Sequence, residues 1–278
     1  MSFRIANPPE DMGGNSRKNI FVAKDEDGKY LGHSYAWPYE NHHTSHTRPR
    51  NILIMVETAL PPGRGWETVW QTLFNRALER AYKIRSERWP GETVRIYGGA
   101  TADQQAQVDM YLKQGFEDDD ATIVMEKTLR GVRIPPDSGT VCIRTSTLES
   151  EPDRTAFMKR HDDIFPTELN IDALDDFMDR PGWMLFQIID DGSIIGECMV
   201  FDNDGAGYIE LFYVVEEARG RGVADALLNR VEGWFVDRGH EKARLVVWQR
   251  NARAVRFYQK HGYEYTGERE EIYPGIDV

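Results

Sequence analysis

The stretch that most constrains how this chain folds is a turn rich in glycine and arginine, Arg219-Gly220-Arg221-Gly222-Val223-Ala224. Residues 209–215 before the turn are mostly apolar, β-branched or aromatic, which is typical of a buried strand. After the turn, apolar side chains recur at helical spacing on one face, namely Val223, Leu227, Val231 and either Trp234 or Phe235. The sequence therefore predicts a strand, a tight turn and a helix that ends near Gly239.

This turn has the features of an anion-binding site. The first backbone N–H groups of a helix have no partner within the helix, so they are available to a ligand at its N-terminus. Glycine has no Cβ, and a phosphate can therefore approach these donors closely. Arg219 and Arg221 add positive charge beside them. Taken alone, the six residues are equally compatible with an ordinary turn that carries two surface arginines.

A second pattern follows the predicted helix. Residues 242–248 predict another strand. A short helix comes next, and three residues share one of its faces: Ala254, Phe257 and Tyr258. Gly262 is placed to end this helix, and a further strand is predicted directly after it.

Together the two patterns resemble those of the GNAT superfamily of N-acetyltransferases, which use acetyl-CoA. The turn matches the family's pyrophosphate-binding pattern as Arg219-x-x-Gly222-x-Ala224. The later matching positions are Asn251, Phe257-Tyr258 and Gly262-Tyr263. Close matching covers residues 193–263, and a weaker match in the order of elements covers residues 141–278.

The resemblance implies specific roles for the matching residues. It implies that the backbone of the central strand, at Phe212, Tyr213 and Val214, holds the pantetheine arm of acetyl-CoA and polarises the thioester carbonyl. It implies that the pyrophosphate binds along the turn, at Arg219, Gly220, Arg221, Gly222, Val223 and Ala224. By the same resemblance, Asn251 contacts the co-substrate, and Tyr258 donates a proton to the departing thiolate.

Several of these roles have plainer alternatives. Tyr258 is also explained as a core aromatic residue, and Asn251 as a helix N-cap. Glu210 is a candidate base for the amine proton, directly or through water, although a salt bridge at the strand edge explains it equally well. Strict alternation places Glu210 on the face of Phe212 and Val214, unless a bulge shifts it. Water alone can also accept the amine proton.

The order of predicted elements in the first half of the chain repeats that of the second half. Gly63-Arg64-Gly65 stands where Gly220-Arg221-Gly222 stands, and Tyr111-x-x-x-Gly115-Phe116 stands where Tyr258-x-x-x-Gly262-Tyr263 stands. A repeat of about 140 residues is too long for a solenoid unit and suits two domains. We therefore predict an α/β (α+β) fold of two tandem GNAT-like domains, each with a mixed, mostly antiparallel central sheet flanked by helices.

The predicted boundaries are a first domain at residues 1–131, a linker at 132–140 and a catalytic domain at 141–278. The first copy departs from the binding pattern, because Pro62 replaces arginine and lacks an N–H, and Glu67 places negative charge where phosphate would lie. Residues 1–18 are predicted to form an irregular arm, too short for the usual opening strand and two helices. A structural role is therefore predicted for this degenerate copy.

The composition of the chain limits the classes of partner that it is expected to bind. A net charge of −12 disfavours nucleic acid, and it suits either a cationic amine substrate or simple solubility. No apolar run reaches the length of about 20 residues that spans a bilayer, and the N-terminus does not resemble a secretory signal. A cytoplasmic monomer or homodimer is therefore expected, with Cys142 and Cys198 as buried, reduced thiols.

Three histidines, His42, His43 and His46, lie close together in a polar stretch. They suggest either a metal site or a solvated loop. No Cys or His partners stand at ligand spacing from them, so we predict a loop and no metal.

The predicted function is an N-acetyltransferase that moves an acetyl group from acetyl-CoA to a primary amine of a small molecule or peptide. One alternative is a non-catalytic acyl-CoA-binding or regulatory module, against which the intact second motif and Tyr258 argue. Another is an enzyme similar to mycothiol synthase, which also has tandem domains, although the truncated first domain argues against it.

Overall fold

The computed structural model describes residues 2–40, 50–118, 120–130, 142–165 and 168–278. Its strands are β1 Phe3–Ala6, β2 Ile20–Asp25, β3 Tyr30–Glu40, β4 Arg50–Thr58, β5 Arg95–Gly98, β6 Ala100–Thr101, β7 Ala121–Thr128, β8 Cys142–Ser146, β9 Met184–Asp190, β10 Ser193–Asn203, β11 Ala206–Val214, β12 Lys242–Trp248, β13 Glu264–Ile272 and β14 Gly275–Asp277. Its α-helices are α1 Arg64–Arg88, α2 Gln105–Lys113, α3 Glu151–Ile164, α4 Ile171–Met178, α5 Val223–Asp237 and α6 Ala252–Lys260.

The chain divides into two compact units that are not continuous in sequence. The first unit contains Met1–Thr122, Trp248–Ala252 and Arg269–Val278, and the second contains Ile123–Val247 and Arg253–Glu268. Two segments from the C-terminal half thus belong to the first unit. The predicted linker at 132–140 lies outside the described residues.

The sheet of the first unit has the order β1-β2-β3-β4-β5-β14. Neighbouring strands are antiparallel except for β4 and β5, which are parallel. The long helix α1 covers one face, where Trp70, Leu73 and Phe74 are fully buried. The hydroxyl of Ser34 on β3 donates to the Leu73 carbonyl at 2.8 Å, which fixes the helix to the strand below it.

The N-terminal arm is more regular than the sequence predicts. Residues Phe3–Ala6 form β1, which pairs antiparallel with β2 from Phe3↔Asp25 to Ala6↔Val22. The expectation of an irregular arm at residues 1–18 was therefore wrong for these four residues. Two alternating apolar side chains are too short a pattern to predict a strand, and pairing with β2 supplies the missing stabilisation.

The C-terminal strand completes the sheet of the first unit. β14 pairs antiparallel with β5 through Gly275↔Tyr97, Ile276↔Ile96 and Asp277↔Arg95. Beyond the ladder, Val94 and Val278 exchange two backbone hydrogen bonds of 2.9 Å. Arg95 is only 7% exposed, and its Nη1 lies 3.4 Å from the Asp277 carboxylate.

Deleting residues 274–278 is expected to destabilise the first unit. The deletion exposes the β5 edge and removes the carboxylate that faces the nearly buried Arg95, so a loss of about 3 kcal/mol is expected. This corresponds to a fall in Tm of roughly 5–10 °C in a thermal melt. Asp277→Asn is the control, because it keeps the strand and removes only the charge, so it should lower Tm less than the deletion does. Equal melting of the deletion variant and the full chain would contradict a stabilising role for β14.

The sheet of the second unit contains the strands in the order β13-β7-β12-β11-β10-β9-β8. Helix α5 packs on one face, where a Cβ at Gly207 of β11 would lie 2.2 Å from the Phe235 ring. Glycine at this position therefore allows the helix to approach the strand closely. Helices α3 and α4 pack on the other face through Phe157 and Leu174, which join a cluster with Leu185, Met199, Leu211 and Tyr213.

Strand β7 lies within this sheet, between β12 and β13. The sequence-based boundary places all of β7 in the first domain, at residues 1–131, but residues 123–128 belong to the second unit instead. The Lys127 ammonium makes a 2.7 Å ion pair with Glu232 of α5, whose side chain is 1% exposed. The Leu129 N–H donates to the Glu241 carbonyl at 2.7 Å just before β12. The local sequence pattern predicts a strand here, but it does not show which distant strands this strand pairs with.

Most predicted elements form where expected. Strand β12 covers the prediction at 242–248, and the short helix predicted after it forms as α6. Helix α5 buries Val223, Leu227, Val231 and, of the two candidates, Phe235. The predicted α/β (α+β) fold with two mixed, mostly antiparallel sheets flanked by helices is confirmed.

The remaining composition-based predictions have mixed outcomes. Cys198 is buried as expected, but Cys142 at the start of β8 is exposed, and both are free thiols. His42, His43 and His46 lie outside the described residues. In the described ranges, no group of three His, Cys, Asp or Glu side chains is placed to hold a metal ion. None of the described helices combines the length and apolar character needed to cross a bilayer.

Candidate active site

The central strand of the second unit separates from one of its neighbours. β11 pairs in parallel with β12 only at Gly207↔Ala243, Tyr208↔Arg244 and Ile209↔Leu245. β11 continues to Val214, so residues 211–214 have no ladder partner on the β12 side in the described part of the chain. On that side the segment is thus open to pairing with an extended ligand, although the Val214 carbonyl already accepts a hydrogen bond from Arg219.

A β-bulge lies where the two strands separate. On the β10 side, Ile209 pairs with Val200 and Leu211 pairs with Met199, so Glu210 is the extra residue. Strict alternation therefore fails at Glu210, and the sequence-based placement of this residue on the face of Phe212 and Val214 does not follow. Glu210 is exposed.

Beyond the bulge, successive side chains of β11 face opposite layers. Leu211 and Tyr213 belong to the cluster under α3 and α4. Phe212 faces α6 instead, where its ring centroid lies 5.6 Å from that of Phe257 and 6.2 Å from that of Tyr258. The structure thus brings Tyr258 to the strand segment that the family resemblance assigns to the pantetheine arm.

The predicted anion-binding turn has the expected backbone geometry. Gly220 and Gly222 have φ values of 73° and 78°, which favour glycine strongly. Gly222 is the N-cap of α5, and no side chain caps the helix there. No described atom lies within 4 Å of a Cβ built on either glycine. The space beside both glycines is therefore open, which the close approach of a phosphate to a helix N-terminus requires.

The two arginines of the turn differ in their partners. Arg219 donates through Nε to the Val214 carbonyl at 3.3 Å, which connects the turn to the end of β11. Its Nη1 lies 3.8 Å from Glu216. Arg221 makes a 2.8 Å ion pair with Asp190 at the end of β9, so part of its charge is already compensated.

A third arginine, Arg253 of α6, was missed by the sequence analysis. Arg253 is an exposed residue, but its partial burial and the positive charge of Arg219 lower its pKa below the ordinary value, while Glu216 partly opposes them. Two arginines close enough to repel each other, beside the positive end of a helix dipole, attract an anion, because a bound anion would relieve their repulsion. The sequence did not indicate Arg253, because it lies far from the turn in sequence and outside the pattern Arg219-x-x-Gly222-x-Ala224.

The family resemblance implies that acetyl-CoA binds at the turn, and replacing Arg253 by glutamine is then expected to weaken that binding about fivefold to tenfold. This is the change that follows from losing one charge-assisted hydrogen bond to a phosphate, roughly 1–1.5 kcal/mol. Isothermal titration calorimetry at fixed salt measures the dissociation constant. Arg256→Gln is the matched control, because Arg256 is, like Arg253, an exposed arginine on the same helix. Similar affinity of both variants and the parent protein would exclude Arg253 from the anion site.

Helices α5 and α6 are joined beside the turn by Asp225. Its carboxylate contacts Lys260, the last residue of α6, at 2.9 Å and His261, which follows α6, at 3.1 Å. These contacts with Lys260 and His261, despite partial burial, lower the pKa of Asp225. The other ring nitrogen of His261 lies 2.8 Å from the Phe257 carbonyl. The helix that carries Tyr258 is therefore fixed to the helix that follows the turn.

Tyr258 is a buried tyrosine whose hydroxyl is not engaged. Its side chain is 6% exposed, and its hydroxyl makes no hydrogen bond to any residue in the described ranges. Burial raises the pKa of Tyr258 well above its ordinary value, and the nearby Cys198 side chain adds a smaller electrostatic effect in the same direction. The hydroxyl therefore stays protonated at neutral pH and is available as a donor.

The corresponding tyrosine of the first unit is engaged. Tyr111 stands four residues before Gly115 and Tyr258 four residues before Gly262, and both glycines have φ near 85°. In each case the backbone carbonyl of the tyrosine accepts a hydrogen bond from the N–H of the residue after the glycine, Phe116 or Tyr263. Tyr111, however, donates its hydroxyl to the Ile54 carbonyl of β4 at 3.2 Å. Its hydroxyl is thus used to hold the central strand of its own unit.

Asn251 belongs to the first unit, although it directly precedes α6 in the sequence. Its backbone N–H donates to the Trp248 carbonyl at 2.9 Å. Both proposed roles, contact with the co-substrate and helix N-cap, stay predictions.

Comparison with known proteins identifies the class of this domain. Residues 148–263 match the model of the acetyltransferase (GNAT) family. The matched segment contains the separated central strand, the glycine turn and Tyr258. Residues 148–263 are therefore a GNAT acetyltransferase domain, as the resemblance predicted, and this fold supports acyl transfer in general.

Solved structures with a similar fold include a tandem protein. A GCN5-related N-acetyltransferase from Anabaena variabilis matches with a TM-score of 0.56 and 10% identity, over 98% of this chain and 72% of that chain. A tandem GNAT protein from the clavulanic acid biosynthesis pathway matches with a TM-score of 0.50 and 11% identity, over 99% and 98%. A fungal multi-domain β-N-acetylglucosaminidase with a glucosamine N-acetyltransferase region matches with a TM-score of 0.54 and 15% identity, over 100% and 38%. At these identities the likeness shows the fold alone.

Proposed function

We propose that this chain transfers an acetyl group from acetyl-CoA to a primary amine of a small molecule or peptide. The observation that carries the proposal is the arrangement around β11 in the second unit. The strand leaves β12 after Ile209, and the glycine turn and the unengaged Tyr258 hydroxyl adjoin the segment beyond. Each of these features suits one part of an acyl-CoA molecule: the pantetheine arm, the pyrophosphate and the thioester sulfur.

The residues then act as follows. The N–H groups at the start of α5, with Arg219 and Arg253, bind the pyrophosphate. The backbone of residues 212–214 aligns the pantetheine arm and polarises the thioester carbonyl, which supplies the acetyl group. Tyr258 donates its phenolic proton to the sulfur as the C–S bond breaks. The proton is in place at neutral pH, because burial raises the pKa of Tyr258.

The amine must lose a proton to attack or during attack. Glu210 is the proposed acceptor of that proton, directly or through water, because it is an exposed carboxylate on the bulge where β11 leaves β12. The bulge supports this role, since such irregularities re-aim side chains next to active sites. An amine deprotonated by bulk water is the competing route.

Release of free thiol from acetyl-CoA in the presence of a panel of amines tests the proposed function. Turnover that depends on an amine supports an N-acetyltransferase. Tight acetyl-CoA binding without turnover on any amine would instead favour a non-catalytic acyl-CoA-binding module. Selective turnover of a cysteinyl aminosugar would favour an enzyme similar to mycothiol synthase.

Gly222→Glu is expected to abolish acetyl-CoA binding, whereas Gly65→Glu should leave it nearly unchanged. The first change adds a carboxylate to the phosphate site and forces a side chain into a backbone with φ of 78°, while Gly65 lies in the first turn of α1 without a positive φ. Calorimetry on the parent protein should give one site per chain.

Gly239→Glu is the matched control for backbone strain. Gly239 follows the other end of α5, has φ of 85° and has no described atom within 4 Å of a built Cβ. It should therefore lose similar stability but keep acetyl-CoA affinity. Two equivalent sites per chain, or equal loss of binding in the Gly222 and Gly239 variants, would refute the assignment of the turn.

A further inference from the structure

A fully buried carboxylate lies beside the central strand of the second unit. Glu197 of β10 is 0% exposed and receives hydrogen bonds from three side chains. Arg160 of α3 donates through Nε at 3.0 Å and through Nη2 at 2.8 Å, and Gln187 of β9 donates at 2.6 Å. The Tyr213 hydroxyl of β11 donates to the same carboxylate. Four elements, α3, β9, β10 and β11, thus meet at one charge.

The network lies where β11 has lost support on one side. Glu197 is the direct cross-strand partner of Tyr213 on β11 and of Gln187 on β9. Past Ile209, β11 no longer pairs with β12, so β10 alone holds its following residues in the ladder. The bulge at Glu210 interrupts even this ladder two residues before Phe212. The bond from Tyr213 to Glu197 is therefore a side-chain link that restrains a weakly held segment.

The same network fixes the end of helix α3. Arg160 lies in the last part of α3, and its side chain is 26% exposed. Phe165 directly follows the helix, and its ring meets the Tyr213 ring edge to face, with centroids 6.2 Å apart. Movement of Tyr213 would thus be transmitted both to the strand and to Phe165.

Stability alone does not explain such a network. Removing two charges from water costs more free energy than their attraction commonly returns, and replacement by neutral side chains of similar volume is often neutral or stabilising. A buried ion pair with directional hydrogen bonds instead specifies one arrangement of the groups that it joins.

We propose that Glu197 and Arg160 are positioning residues for acyl transfer, which act through Tyr213 to hold residues 212–214 at the position that aligns the thioester. This inference rests on the proposed function. It predicts an effect on the chemical step, because a small displacement of aligned reacting groups has large kinetic consequences. Binding of acetyl-CoA should change little, since the glycine turn supplies the phosphate contacts.

Two variants test the proposal in the full-length protein. Arg160→Met with Glu197→Gln removes both charges at nearly constant volume, and Tyr213→Phe removes only the link from the strand. Each should lower kcat by about tenfold or more while the acetyl-CoA dissociation constant stays within about threefold. Arg154→Met with Asp175→Asn is the control, because it removes a 2.8 Å ion pair that joins the same helix to α4. Its kcat should stay within about twofold.

Hydrogen exchange supplies a readout that needs no acceptor. The amides of residues 212–214 should exchange faster in both test variants, and those of 207–209, still paired with β12, should not. Unchanged exchange at 212–214, or an unchanged kcat with chemistry rate-limiting, would overturn the positioning role. A parent protein that acetylates no amine would overturn the proposed function. Hydrogen exchange at residues 212–214 would still decide whether the hydrogen bonds around Glu197 hold the strand. If the double variant fails to fold, Tyr213→Phe decides alone.

Discussion

Tyr258→Phe is expected to lower kcat roughly tenfold to a thousandfold, the range that follows from losing a general acid. The substitution keeps the ring and its contact with Phe212 and removes only the hydroxyl. That hydroxyl has no hydrogen-bond partner among the residues described, so folding stability should not fall. Acetyl-CoA affinity should also change little, because the phosphate contacts are made by the turn. Steady-state kinetics, calorimetry and a thermal melt together check the three expectations.

Tyr111→Phe is the matched control for this prediction. Tyr111 occupies the equivalent position of the first unit, but its hydroxyl donates to the Ile54 carbonyl, and its side chain is 0% exposed. Its loss should cost about 1 kcal/mol of stability and leave turnover intact. The opposite pattern, with turnover intact in Tyr258→Phe while chemistry limits the rate, would remove Tyr258 from the mechanism. Proton delivery would then fall to water.

The parts of the site that the sequence predicted are those set by local rules. The turn at Gly220 and Gly222 needs positive φ, and glycine is the residue that adopts it readily. Helix α5 follows from apolar side chains spaced for one face, and Gly262 ends α6 with φ of 86°. Each of these features depends on a few neighbouring residues, so a single sequence is sufficient to predict them.

The features that the sequence missed depend on contacts between distant residues. Glu210 becomes the extra residue of a bulge only because of how β10 pairs with β11. Arg253 reaches Arg219 only through the packing of α6 in the second unit. The burial of Glu197 is stabilised by Arg160, Gln187 and Tyr213, and none of these is its neighbour in sequence. A charged residue in a strand pattern is ordinarily predicted to be exposed.

Strand β7 is the largest of these differences, and it changes what a domain fragment should do. A fragment of residues 138–278 corresponds to the predicted catalytic domain with a short extension, but it lacks β7. In the full chain, β7 lies between β12 and β13 of the second unit. Without β7 those two strands lose their common neighbour, and Glu232 on α5 loses the Lys127 ammonium. A buried carboxylate left without its partner costs about 3–5 kcal/mol, a large fraction of the stability of one domain.

Residues 138–278 expressed alone are therefore expected to aggregate or to melt far below the full chain, with little acetyl-CoA binding. A fragment of residues 118–278 retains β7 and should be the more soluble and more stable of the two. Co-expression of 1–137 with 138–278 should also restore a folded product, because β7 then returns on the first fragment and β14 on the second. Size-exclusion chromatography, circular dichroism and calorimetry distinguish these cases. A soluble 138–278 fragment with full affinity for acetyl-CoA would show that the sheet of the second unit forms without β7. The placement of β7, from the first half of the chain, in that sheet would then contribute nothing to its stability.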